Sequence, residues 1–249
     1  MNLGKPLAIG NTASIYRSQD KVIKLMKEGF PATEVYFEAK KQAFAYACGL
    51  DVPKKVMVTE IDGRQALIME YIEGPTIGER LVENMEQVEH YIDICVRVHR
   101  TIHQAIPKAP SIERMPDKLY RQINHSEQIP EAVKVQLFQR MNKIQFEPRL
   151  CHGDFHPFNV IMSKDRLTII DWVDASMGDI RADLYRTYLL LSSFSIDTAE
   201  YYLRSYCKQA DLSKEEVFRW APIIAGARLS EQIPLEQKEP LVGIITSFL

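Results

Sequence analysis

Asp154, Asn159 and Asp171 have residue types and spacing that suit holding a hard cation next to a reacting group. They lie in the stretch Cys151-His152-Gly153-Asp154-Phe155-His156-Pro157-Phe158-Asn159, which runs into Val160-Ile161-Met162, a polar turn Ser163–Arg166, Leu167–Ile170 and then Asp171-Trp172. The two apolar runs around a polar turn read as a β-hairpin. A four-residue turn centred between Lys164 and Asp165 pairs position 159 with about position 170. Asn159 and Asp171 are therefore expected side by side at the open end, where opposed residues lie roughly 5 Å apart. An amide oxygen and a carboxylate at that separation can share one Mg²⁺. Asp154 lies on the loop feeding the same end, free to face a bound substrate. Cys151, His152, Asp154 and His156 also admit a zinc reading, but adjacent side chains diverge in extended backbone and no distant His pair at ligand spacing completes such a site.

Asp154 precedes Asn159 by five positions, the spacing of a kinase catalytic loop, and a further acidic residue follows at Asp171. Phosphoryl transfer from a nucleotide also needs a cation on the phosphates and a loop that covers them. Lys24 sits in the β-like run Val22-Ile23-Lys24-Leu25, where a lysine between apolar neighbours is unexpected unless its face is a cleft. Upstream, the loop Gly10-Asn11-Thr12-Ala13-Ser14 can set backbone N–H groups against phosphates. A helix after Pro31 offers Glu38, with Glu34 one turn earlier on the same face, and either can pair with Lys24.

The elements that must position these residues divide the chain. Leu7–Ile9, Ser14–Tyr16 and Val22–Leu25 are short strand signals, followed by a helix from Pro31 to Cys48 stopped by Gly49. Val56–Thr59 and Gln65–Met69 flank Asp62-Gly63, a hairpin turn signal. Strands with one inserted helix make an α+β module. From Thr76 onward the pattern is mainly helical: Tyr91, Cys95, Val98 and Ile102 recur on one face, as do Val133, Leu137, Met141 and Ile144. Three or four more helices are expected after Tyr185, broken near Ser195, Asp211 and Pro234.

Composition narrows the function. Hydrophobic residues make up 46% of the chain and charged residues 26%, the balance of a globular protein. A net charge of −2 argues against a general nucleic-acid binder. No apolar run approaches the roughly 20 residues of a membrane helix, and the N-terminal segment lacks a signal peptide's apolar stretch. The four cysteines are scattered, which suits a reducing compartment, so a cytoplasmic location is expected.

Leu150–Ile161 resembles the H-G-D-x-x-x-x-N motif of the aminoglycoside phosphotransferase and choline kinase families. Ile170-Asp171-Trp172, Gly178-Asp179 and Asp183-Leu184 are similar to their I-D-W…G-D…D-L signature, and Met69–Gly74 to their hinge. The resemblance spans roughly residues 9–190. It implies a protein-kinase-like bilobal α+β fold: a nucleotide-binding lobe over residues 1–70 and a larger helical lobe over 71–249 with the catalytic loop and acceptor site. It implies ATP with its adenine against the backbone near Glu70 and Ile72, and Lys24 on the α/β-phosphates, held by Glu38. It further implies Mg²⁺ on Asn159 and Asp171, and Asp154 as the catalytic aspartate. His152 would brace the catalytic loop, and Asp183 would accept its backbone N–H groups. Asp171 is followed by Trp172-Val173 rather than Phe-Gly, and no Ala-Pro-Glu triplet follows, so a regulated protein kinase is not expected.

The expected activity is transfer of a γ-phosphate to a hydroxyl of a small molecule, with a cationic amino alcohol or aminoglycoside-like acceptor favoured by the family and by a net −4 on residues 71–249. Asp174, Asp179, Glu231 and Glu236 are the acids considered for that acceptor. The alternative, a catalytically silent nucleotide-binding pseudokinase, would lack the lysine, the catalytic aspartate or a metal ligand. Lys24, Asp154, Asn159 and Asp171 are all present.

Overall fold

Short apolar-rich strands within the first seventy residues build a five-stranded antiparallel sheet. Its strands are β1 (Ala8–Ile9), β2 (Ala13–Ser18), β3 (Lys21–Met26), β4 (Lys55–Ile61) and β5 (Arg64–Glu70), in the order β1-β2-β3-β5-β4. The computed structural model describes residues 3–10, 12–105, 112–231 and 233–248, with the backbone alone at 55, 56, 235 and 236. In β3, Ile23 and Leu25 pack on one sheet face with Ala66, while Met26 joins Ala13, Leu67 and Met69 on the other. Side chains alternate along a strand, so Lys24 shares the second face. That face is covered by α1 (Ala32–Ala47), whose buried residues Val35, Glu38, Ala39, Gln42 and Ala45 follow helical periodicity. The helix ends in a Schellman motif: the Gly49 N–H donates to Tyr46 O at 2.9 Å and the Leu50 N–H to Ala45 O at 3.3 Å, with Gly49 at φ 83°. Asp62 and Gly63 both take positive φ, 49° and 75°, which is the turn the Asp-Gly pair predicts between β4 and β5.

A short helix follows, α2 (Ile77–Glu83), started by a capping box between Thr76 and Glu79. Next come α3 (Val88–Gln104), α4 (Met115–His125), α5 (Glu131–Lys143) and the strand β6 (Arg149–Cys151). The expected hairpin is present as β7 (Val160–Met162) and β8 (Leu167–Ile169), paired Val160↔Ile169 and Met162↔Leu167. The last elements are β9 (Ser176–Gly178), which pairs with β6, then α6 (Ile180–Ser192), α7 (Ile196–Ala210), α8 (Lys214–Phe218), α9 (Ala221–Arg228) and α10 (Leu235–Ser247). Ser195 caps α7, Asp211 ends it in a left-handed conformation and Pro234 precedes α10, at the breaks the sequence marks.

Two compact units result. The first takes in Met1–Gln87, Pro107–Ile112 and Pro157–Asp174, the second Val88–Ile106, Glu113–His156 and Ala175–Leu249. The β7–β8 hairpin thus belongs to the unit built by the sheet, because α2, the 3-10 turn Pro157–Asn159 and the Thr76–Ile161 bridge pack together there. In the second unit α3 packs on α7 and α6 on α7, while α9 is buried along most of its length. Of the stripe read from the sequence on α3, Cys95, Val98 and Ile102 are buried and Tyr91 is half-buried, and the same buried face also carries Ile92, Val96 and two histidines, His99 and His103.

Candidate active site

In the first unit, β3, α1 and the second residue after β8 bring three charges together. Lys24 Nζ donates to Glu38 Oε1 at 2.7 Å and to Asp171 Oδ1 at 3.1 Å. The Lys24 and Glu38 side chains are 10% and 4% exposed, that of Asp171 45%. Burial alone would lower the Lys24 pKa, but the Asp171 and Glu38 carboxylates outweigh it and hold the ammonium above its ordinary value. Glu38 is thus the partner that the spacing left undecided, and Glu34 is exposed. Asp171 sits at φ 63°, a left-handed conformation that a non-glycine residue adopts at some energetic cost. The Ile170 N–H donates to Asn159 O at 3.0 Å, the register that sets positions 159 and 170 opposite one another at the hairpin's open end. The loop after Asp171 is tied back to α1 by Lys41 Nζ, 2.5 Å from Val173 O. Trp172 is fully buried and donates Nε1–H to Ile169 O, a packing role.

These residues edge a cavity of about 320 Å³ lined by Ile15, Val22, Lys24, Glu38, Met69, Glu70, Tyr71, Ile72, Ile170 and Asp171 among others. Its far end is the segment after β5. There the Glu70 N–H donates to Lys54 O and the Tyr71 N–H to Asp20 O. Among the described residues the Ile72 N–H has no protein acceptor. The Glu70 carboxylate is held away from any ligand role by Arg166 at 2.8 Å and the Lys54 N–H at 3.2 Å. Gly74, at φ 141°, passes so close to β7 that a Cβ there would lie 2.4 Å from Met162 O. Gly10 and Ser14 are not among the residues lining the cavity: the Gly10 N–H is spent on Ala13 O at 2.8 Å and Ser14 pairs within the sheet. Asn11 of the same loop lies outside the described residues.

In the second unit, β6 delivers the loop that carries Asp154. The His152 and Gly153 N–H groups both donate to the Asp183 carboxylate at 2.8 Å, and the Asp154 N–H donates to His152 Nδ1 at 3.3 Å. Thr187 Oγ1 donates to Phe155 O at 2.9 Å, and Phe155 stacks on His99. Gly153 takes φ 82°, the turn that presents Asp154. Arg186 Nη2 donates to Asp154 Oδ1 at 3.0 Å, and the same guanidinium holds Glu231 at 2.9 Å. His156 Nε2 stands 3.7 Å from Asp154 Oδ2. Burial would raise the Asp154 pKa, but His156 and Arg186 pull it well below the usual carboxylate range, so the group is ionised at neutral pH.

A profile of the phosphotransferase enzyme family matches residues 4–220. The chain belongs to this family. It has a kinase-like fold: an antiparallel sheet and one helix, followed by a mainly helical part. A stretch of 84 residues is 31% identical to Protein LicA of Haemophilus influenzae, covering 34% of this chain and 31% of that protein. The match thus spans about a third of that relative. Among solved structures, choline kinase LicA from Streptococcus pneumoniae superposes with a TM-score of 0.66 at 21% identity over 96% of this chain and 91% of that one. A thermostable aminoglycoside phosphotransferase mutant in complex with AMP-PNP and hygromycin B gives a TM-score of 0.71 at 13% identity, over 98% and 91%.

Among the described residues of this phosphotransferase, the one grouping of three histidine, cysteine or acidic side chains close enough to hold a metal is His99, His103 and Asp183. The zinc arrangement of Cys151, His152, Asp154 and His156 is therefore not formed. Asp179, considered as an acceptor acid, is 2% exposed and bound by Arg181 and by Trp220 Nε1–H. Glu231 is engaged by Arg186 and Arg228. The Glu236 side chain lies outside the described residues. Arg186, His99 and His103 were not singled out by sequence reasoning. The available signals were an arginine three residues after Asp183 and the i,i+4 pair His99 and His103 on α3, which corrects the reading that the sequence holds no distant His pair at ligand spacing. No helix among the described residues is long and apolar enough to cross a membrane.

Proposed function

We propose that this phosphotransferase moves the γ-phosphate of ATP to a hydroxyl of a small molecule. The observation that carries the reading is the buried Lys24, bonded at once to Glu38 and Asp171 on the wall of the 320 Å³ cavity. A desolvated ammonium kept charged by two carboxylates is an expensive arrangement that phosphate binding explains. The adenine would pack in the apolar part of the cavity and accept from the Ile72 N–H, with the Glu70 carbonyl as its second partner. The hard oxygen donors of Asn159 and Asp171 fit Mg²⁺. When bound, the ion would neutralise phosphate charge.

Asp154 would orient the attacking hydroxyl and accept its proton as the phosphoryl group departs. Its lowered pKa makes it a weak base, so orientation and charge carry more of the effect than proton affinity. His152 and Asp183 would hold the loop. A cationic acceptor, an amino alcohol or aminocyclitol, is supported by the kinds of protein with which the fold is shared. The division into a nucleotide lobe at residues 1–70 and a catalytic and acceptor lobe at 71–249 is part of the same proposal.

The test is an ADP-release screen over amino alcohols, sugars, aminoglycosides and macrolides, with Asp154→Asn as control. ADP release that is stimulated by one acceptor class and abolished by the substitution supports the reading. Release unaffected by Asp154→Asn refutes the assigned mechanism, and failure to bind MgATP refutes the nucleotide site.

A further inference from the structure

Two buried histidines with no part in the proposed chemistry converge on the Asp183 carboxylate, each backed by a buried tyrosine. His99 and His103 lie one turn apart on α3, and each sets Nε2 3.0 Å from Asp183 Oδ2. On its other side each ring meets a tyrosine of α7: His99 Nδ1 is 2.5 Å from the Tyr202 hydroxyl and His103 Nδ1 is 2.5 Å from that of Tyr206. All five side chains are buried, none more than 4% exposed. The carboxylate at the centre is the one that accepts the His152 and Gly153 N–H groups.

The chemistry fixes where the protons lie. An ionised carboxylate only accepts, so each Nε2 must carry the hydrogen that points at it. A neutral ring protonated at Nε2 has a bare Nδ1, which accepts from the tyrosine O–H. Burial raises the pKa of both phenols, so both keep that proton. Burial also pushes His99 down to about 3, so its ring stays neutral at physiological pH. The opposite tautomer would set a bare nitrogen lone pair against a carboxylate oxygen at 3.0 Å. The two histidines and Asp183 are close enough to ligate an ion, but every nitrogen in the group already has a hydrogen-bond partner at 2.5–3.0 Å. A hydrogen-bonded relay satisfies all of them without one.

We propose that His99 and His103, held as Nε2–H tautomers by Tyr202 and Tyr206, are positioning residues that fix the Asp183 carboxylate and, through it, the His152–Gly153 backbone that presents Asp154. The proposal rests on the reading of Asp154 as the catalytic aspartate. Asp183 cannot hold two amides in place unless its own torsion is fixed. The pair of imidazoles supplies that constraint at Oδ2, which they share with the His152 N–H, and leaves Oδ1 to the Gly153 N–H. Because Gly153 sits at φ 82°, a conformation with little intrinsic preference over its alternatives, the anchoring must come from these contacts.

The test uses the full chain labelled with ¹⁵N. Long-range ¹H–¹⁵N correlations on the wild type should show both rings with Nε2 protonated and Nδ1 bare. His103→Leu should speed amide hydrogen exchange at His152 and Gly153 by roughly tenfold or more, the loss expected of a hydrogen bond to a charged group, while Leu67 in the β-sheet is unchanged. His103→Gln, which keeps an N–H donor, should recover part of the protection. With choline as the probe acceptor, kcat should fall in His103→Leu and KM for ATP should hold, because the nucleotide cavity is built wholly from the first unit. If His103→Leu does not fold, Tyr206→Phe, which removes one hydroxyl, carries the exchange measurement instead. Absence of turnover in the wild type would count against the acceptor reading alone, and the tautomer and exchange data would still decide this proposal. Protonation at Nδ1 in the wild type, or unchanged exchange at His152 and Gly153 in a folded variant, overturns it.

Discussion

Replacing Arg186 by methionine removes a charge from between two carboxylates and leaves the side-chain bulk nearly intact. In the native protein the guanidinium reaches Asp154 Oδ1 at 3.0 Å and Glu231 at 2.9 Å. Its side chain is 11% exposed against 28% for Asp154, so the pair is sheltered but not dry. Coulomb's law at that separation with an effective dielectric constant of 20 gives about 5.5 kcal/mol. Desolvation of both ions and loss of side-chain freedom absorb much of this, leaving about 1.5–3 kcal/mol for a hydrogen bond to a charged group. A double-mutant cycle of Arg186→Met and Asp154→Asn, followed by urea unfolding at pH 7, should therefore show a coupling energy in that range. The acid side gives an independent sign. Burial would raise the Asp154 pKa, while His156 and Arg186 pull it below the ordinary 3.8, so the unfolded chain binds this proton more tightly than the folded one. The stabilisation is present above the ordinary value and drains away as the pH falls toward the lowered one. In Arg186→Met the folded value moves back up, so less stability is lost as the pH falls below the ordinary 3.8, and the acid limb of kcat/KM moves to higher pH. Single-mutant effects that add to within about 0.5 kcal/mol, together with an unmoved acid limb, would refute the role given to Arg186.

Lys24→Met leaves the Glu38 carboxylate stranded in a buried site and should cost about 3–5 kcal/mol in urea unfolding. The double substitution Lys24→Met/Glu38→Leu should regain most of that stability but not MgADP binding by calorimetry, which separates the fold's need for the pair from the ligand's. Gly153→Ala places a Cβ at φ 82°, costing about 1–2 kcal/mol and lowering kcat in the ADP-release assay more than KM for ATP. Gly74→Ala combines φ 141° with a Cβ only 2.4 Å from the Met162 carbonyl oxygen, so its thermal midpoint should fall further than that of Gly153→Ala and MgADP binding should weaken.

The Lys24 side of the proposed site was readable because its signals are local. Strand alternation put Lys24 on one face of β3, and helical periodicity offered only Glu34 or Glu38 as a partner. The burial of Glu38 on α1, with Val35, Ala39 and Gln42, decides between them. That step needs the helix's rotation against the sheet, which a polar residue at a buried position does not disclose in a sequence. The hairpin register was fixed by turn length alone, since a two-residue period leaves few choices once the turn is placed. The loop from Gly10 to Ser14 was less legible: one glycine and a serine do not specify which amides remain free, and the Gly10 N–H closes its own turn on Ala13.

The part of the proposed site around Asp154 was legible at Asp154 and Asp183 and opaque elsewhere, for a physical reason. Arg186, His99, His103, Tyr202 and Tyr206 act through contacts between residues 32 to 103 positions apart in the chain. No periodicity encodes such pairings. A buried histidine reads as core and a helical arginine as surface until the helices are packed, yet here each ring nitrogen and both terminal guanidinium nitrogens have a partner that sequence distance hides. An apolar face interrupted by two histidines at i and i+4 carries an unpaid desolvation penalty, and a fold tolerates this only where a buried acceptor awaits both rings. On α3 that acceptor is Asp183, and the same oxygen that satisfies the rings also receives the His152 amide of the loop. The polar interruption of a core stripe therefore pointed to the anchoring of Asp154 from the opposite end of the second unit's sequence. It becomes readable once burial is asked of each polar residue on the stripe as well as each apolar one.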